Sequence, residues 1–146
     1  MGIIAADVGY TLAVFPNHHR ALMTMVRLGE RHKTNKPPGT SRTIECYFQR
    51  AIVFASDDLL VRVIFADYLA KQGHKELAVA QVDYVLKRTE SPFIHYSIGG
   101  ILFELGDFER ALKQAHKAAA LGLERNGLEE ALRAKGVWKD RERTLE

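Results

Sequence analysis

Cysteine is nearly absent: Cys46 is the only one in 146 residues, so no intramolecular disulfide can staple the fold. That fits a reducing compartment, and equally a periplasmic helical protein without disulfides. Cys46 stands beside Tyr47 and Phe48 on an expected helix and reads as an inert, packed thiol. No apolar run approaches the ~20 residues of a membrane-spanning helix. No basic start followed by an apolar stretch marks a secretory signal. Enzyme signatures are missing too: there is no G-x-x-x-x-G-K-[ST] phosphate loop, no G-x-S-x-G elbow and no H-E-x-x-H pair. Gly99-Gly100 lies inside an expected helix and not before one, so it cannot cradle phosphate. His18 and His19 are adjacent, and neighbours on a helix point about 100° apart, so they cannot chelate one ion together. His95 reads as a buried, hydrogen-bonded side chain, and Asp57-Asp58 as helix-capping residues. No catalytic constellation, metal set or cofactor motif emerges, and the chain reads as non-catalytic.

Charge is present but uneven. Residues 17–50 carry seven Lys and Arg (Arg20, Arg27, Arg31, Lys33, Lys36, Arg42, Arg50) against Glu30 and Glu45. The remainder of the chain is close to neutral, so the overall +3 is local to the first third.

Helical periodicity runs through most of the sequence, and no segment alternates as a strand does. Residues 3–14 read as a short helix with Ala6, Tyr10 and Ala13 on one face, stopped by Pro16. Asn17 is placed to cap a helix over about 18–32, with Ala21, Leu22, Met25, Val26 and Leu28 as its apolar stripe. Pro37-Pro38-Gly39 breaks the chain, and Thr40 or Ser41 is placed to cap a helix over 42–55 with Ile44, Phe48, Ala51 and Ile52 inward. Ser56 and Asp57 are placed to cap a helix over 58–71 ending at Gly73; helices over 74–88, from Ser91-Pro92 to about 105, over 108–121 and over about 126–135 follow. The expected fold is all-α.

The helices repeat. Ala66, Leu69, Gly73, Glu76, Ala78 and Gln81 return 33 positions later as Gly99, Leu102, Gly106, Glu109, Ala111 and Gln114. Ile44, Phe48, Ala51 share one spacing with Ala78, Val82, Val85 and with Ala111, Ala115, Ala118. This resembles the tetratricopeptide repeat, W-x2-L-G-x2-Y followed by A-x3-F-x2-A. The resemblance covers about residues 3–123. It implies stacked antiparallel helical hairpins forming a right-handed superhelix, one domain over 1–146 with a half-repeat at 3–14, repeats at about 17–56, 59–90 and 92–123, and a capping helix at about 126–135. Arg62 and His95 depart from the pattern where an aromatic is usual, as do Leu69 and Leu102 in place of Tyr. The segment FPNHHRAL and the late Gly-Val-Trp are similar to small tetratricopeptide proteins of Gram-negative bacteria. That likeness implies an export signal ahead of this region, hence a periplasmic location where such a signal has been removed and a cytoplasmic one otherwise. The closing Leu145-Glu146 has the form of a cloning remnant.

In the tetratricopeptide family the first helix of each hairpin lines a concave groove that accepts a peptide. By position, the resemblance assigns to that groove Arg20, Met23, Arg27 and Arg31, then Val63, Asp67 and Lys71, then Phe93, Tyr96, Gly100 and Phe103. The implied function is a scaffold that binds a protein or peptide, with the arginines steering an acidic segment. The paired Lys and Asn that grip a chaperone tail in one subclass are absent, and Asp67 would repel a carboxylate. Two alternatives stand beside this reading: nucleic-acid binding through the basic 17–50 region, the less favoured because few exposed aromatics interleave it, and homodimerisation through the N-terminal helix, which lacks a hairpin partner.

Overall fold

The computed structural model describes residues 2–142, with side chains from residue 4 onward. The Leu145-Glu146 ending lies outside the described residues. Those described form eight α-helices and no strand: α1 (Gly2–Val14), α2 (His19–His32), α3 (Ile44–Phe54), α4 (Leu59–Lys71), α5 (Lys75–Leu86), α6 (Pro92–Glu104), α7 (Phe108–Ala120) and α8 (Gly127–Ala134). The all-α expectation holds. The chain groups into two compact units, one running to Leu69 near the end of α4 and one from Ala70 onward.

In the first unit α1 packs on α2 and α2 on α3. The α2 stripe buries all five expected residues, together with Gly29. Gly29 has no room for a side chain: a Cβ there would lie 2.8 Å from the Thr34 carbonyl and would also collide with Ile44. Phe48 of α3 stacks on Phe65 of α4, ring centroids 4.8 Å apart and planes 10° from parallel. The Tyr68 hydroxyl donates to Glu45 at 2.8 Å, and burial together with that carboxylate pushes the phenol's pKa upward. The 33–43 insertion is ordered by its own bonds. Lys33 adopts the left-handed conformation that ends α2, Thr34 N–H donates to Gly29 O, and Ile44 N–H donates to Asn35 O at 2.7 Å.

Two local expectations for this unit are corrected. On α1, Ala6, Tyr10 and Ala13 do share a face, but it is the exposed one; Ala5 and Leu12 face inward. That helix is apolar nearly all round, so periodicity could not choose its buried side. The caps shift as well. His18, not Asn17, accepts the Ala21 N–H ahead of α2, and Thr43, not Thr40 or Ser41, accepts the Cys46 N–H ahead of α3. Of the residues expected to cap α4, neither Ser56 nor Asp57 but Asp58, the second of the Asp57-Asp58 pair, accepts the Val61 N–H. In each case the helix starts one or two residues later than expected, and a cap bond needs a side chain three positions before its N–H.

In the second unit α6 and α7 form an antiparallel hairpin. His95 meets Gln114, Gly99 approaches Ala111 and Phe103 meets Phe108, so positions on the two helices run in opposite order. The turn is short because Gly106 takes φ +80°, a conformation glycine reaches without strain, and Asp107 then caps α7 by accepting the Arg110 N–H. At the other end Ser91 caps α6 with Pro92 in the first turn. Gly99 permits the close crossing. A Cβ there would stand 3.3 Å from Gln114 Cβ and would press on Leu128 of α8. Leu128 and Leu132 carry α8 onto this hairpin, and Arg110 ties α7 to Asp83 of α5.

Candidate partner-binding face

The clearest candidate lies on α6. Phe93, Tyr96, Gly100 and Phe103 follow one another at three- and four-residue steps and so share a stripe. Phe93 is 57% exposed, while Tyr96 and Phe103 are half-buried. The Arg125 guanidinium stands 5.6 Å from the Phe93 ring centre and 5.8 Å from that of Tyr96, within the range of cation–π attraction for both. The Tyr96 hydroxyl accepts the Leu128 N–H at 3.1 Å, satisfying one of the free donors at the start of α8 and fixing the ring. Phe103 meets Phe108 edge-on at 5.3 Å. Between the aromatics, a Cβ built on Gly100 meets nothing within 4 Å, so this part of the stripe opens onto free space. The result is a rigid row of apolar surface with a gap in the middle and a cation at one end.

The remaining residues assigned by position fare unequally. Arg20, Arg27 and Arg31 lie on one exposed face of α2, and among the described residues none has an ion-pair partner within 4 Å. Val63 is corrected: at 5% exposure it belongs to the core, because α4 also buries Val61, Phe65, Ala66, Tyr68 and Leu69 and offers apolar residues on several sides. Asp67 is half-buried and Lys71 is exposed, and both already interact with other groups of the protein. Arg20, Arg27, Arg31, Val63 and Asp67 fall in the first unit; Lys71, Phe93, Tyr96 and Phe103 fall in the second.

Three features escaped the sequence reading. The first is Arg125, which sits in a loop and acquires meaning only through the rings beneath it. The second is an apolar patch in the first unit. The ends of α1 and α3 each carry an exposed Val-Phe pair, Val14-Phe15 and Val53-Phe54, and Val53 is 85% exposed. Beside the second pair lies a shallow apolar depression of about 410 Å³ walled by Pro16, Cys46, Gln49 and Arg50. The sequence does hold a signal for it, since Val-Phe recurs at the last turn of two helices. The third is a polar staple: Asp58 receives Asn17 Nδ2 at 3.1 Å and His19 Nε2 at 2.6 Å. Burial alone raises the Asp58 pKa, but the His19 and Asn17 hydrogen bonds outweigh it and hold the carboxyl below its ordinary value.

Among the described residues no three His, Cys, Asp or Glu side chains are grouped so as to hold a metal ion, and no helix is long and apolar enough to cross a membrane. No family model, curated protein or solved structure matches this chain.

Proposed function

We propose that this protein is a non-catalytic helical scaffold whose hairpins stack as a tetratricopeptide-like superhelix and hold a segment of another protein. The observation that carries this reading is the α6 stripe, where Phe93 is largely exposed and Gly100 leaves a gap between aromatic neighbours. An exposed aromatic fixed by its surroundings adds binding energy at little entropic cost, which is why such residues recur at interaction hot spots. Arg20, Arg27 and Arg31, without an ion-pair partner among the described residues, favour a partner with acidic character. The test is a quantitative pull-down from the source cells with wild type and Phe93→Ala. A specific partner recovered by wild type and depleted in the variant supports the scaffold; identical recoveries count against the α6 face.

A second reading, self-association, rests on a separate observation. Tyr10 of α1 is 74% exposed, and Ile4, Val14 and Phe15 are more than half exposed on the same element and its end. A second copy is one way to cover such a surface. Light scattering across a concentration series decides it, and a strict monomer at high concentration removes this reading. Nucleic-acid binding through the basic 17–50 region is separated from both by a filter-binding titration at two salt concentrations, where it requires a steep loss of affinity with salt.

A further inference from the structure

A cavity of about 540 Å³ in the second unit takes its walls from α7 and from the segment after α8. Arg110, Lys113, Lys117 and Arg141 line it together with His95 and Gln114, and among the described residues no carboxylate does. The first three cations stand at three- and four-residue steps along α7 and therefore on one stripe, where like charges repel. Arg110 is held in place by Asp83, with Asp107 3.9 Å away. Among the described residues Lys113, Lys117 and Arg141 have no ion-pair partner.

The fourth cation arrives by deliberate packing of the chain after α8. The His116 imidazole donates to the Lys139 carbonyl at 2.8 Å, the Trp138 ring lies 4.8 Å from that imidazole, and Arg133 lies over Trp138. These contacts hold the segment against α7 and bring Arg141 to the cavity.

His95 and Gln114 back this wall: His95 is 5% exposed, and its Nδ1 donates to Gln114 Oε1 at 2.6 Å.

We infer that this cavity binds a small organic anion bearing two phosphate groups. Two phosphate groups answer the uncompensated cations. The volume falls in the range of about 300–1,000 Å³ typical of small-molecule sites.

The test is isothermal titration of the full chain with fructose 1,6-bisphosphate, with inorganic phosphate and citrate run in parallel at physiological ionic strength. The expected result is saturable binding of the bisphosphate, tighter than either comparison anion. Lys113 and Lys117 are exposed, so Lys113→Gln/Lys117→Gln should fold, as circular dichroism will show, and should lose roughly tenfold or more in affinity. Lys75→Gln, exposed at the start of α5 and outside the lining, should bind as wild type does. Absence of saturable binding, equal affinity in the double lysine variant, or equal affinity for citrate overturns the assignment.

Discussion

His95 Nδ1 lies 2.6 Å from Gln114 Oε1, with the two side chains 5% and 8% exposed, so the α6–α7 hairpin is joined through a buried polar pair. Truncating Gln114 to Ala removes the acceptor from the buried imidazole donor. We expect Gln114→Ala to lose about 1–3 kcal/mol in chemical denaturation. Replacing both partners, as His95→Leu/Gln114→Leu, should recover most of that loss, because no buried polar group is then left unpaired. A double variant as unstable as the single would show that the pair's shape, and not its hydrogen bond, matters.

Asp58 sets an acid limit on the first unit. Its pKa lies below the ordinary 3.8 in the folded chain, because the His19 and Asn17 hydrogen bonds outweigh its burial. A depressed carboxyl contributes stability that is fully present above the unfolded-state value and is lost as pH falls through the folded one. Thermal unfolding of wild type and Asp58→Asn should therefore differ most near neutral pH and converge below about pH 4. A constant difference across that window would show that the carboxylate's charge does not stabilise the staple.

Two glycines should respond in opposite ways to the same substitution. At Gly29 a methyl group meets the Thr34 carbonyl and Ile44, so Gly29→Ala should destabilise by about 1–3 kcal/mol. At Gly100 a methyl group meets nothing and the backbone is helical, so Gly100→Ala should stabilise by about 0.4–1 kcal/mol. Urea unfolding of the two variants checks both. A stabilising Gly29→Ala would mean that α2 and the 33–43 insertion are less tightly joined than described.

Arg27 is exposed and has no ion-pair partner among the described residues, so reversing its charge should not disturb the fold. Arg27→Glu should slow association with an acidic partner and weaken the salt dependence of that rate, with helicity unchanged by circular dichroism. An unaltered association rate would remove the basic face of α2 from the account.

Much of the helix order was legible in the sequence because small and large residues recur at fixed steps: Ala51, Ala66, Ala78, Gly99, Ala111 and Ala118 are all buried. Gly73, Gly106 and Gly122 mark turns through positive φ, and Ser91-Pro92 opens α6. The face of α1 was not legible, since apolar residues surround it. The caps of α2, α3 and α4 were misplaced by one to three residues, because Asn17, Thr40 and Ser41 are equally good capping types and only tertiary contacts decide among them. Of the candidate site, the α6 aromatics were assigned position by position from the repeat resemblance. Arg125 was not, because its place over Phe93 and Tyr96 depends on chain segments far apart in sequence.

The central claim is that the α6 stripe touches another protein, and its most direct test is photocrosslinking in the source cells. Benzoylphenylalanine in place of Gly100 puts a reactive probe into the gap between Tyr96 and Phe103, where the structure has room for it. The account predicts a discrete protein adduct at this position that disappears when Phe93→Ala is added, with no matching adduct from the same probe in place of exposed Lys87. No adduct at position 100, or the same adducts from both positions, would contradict it.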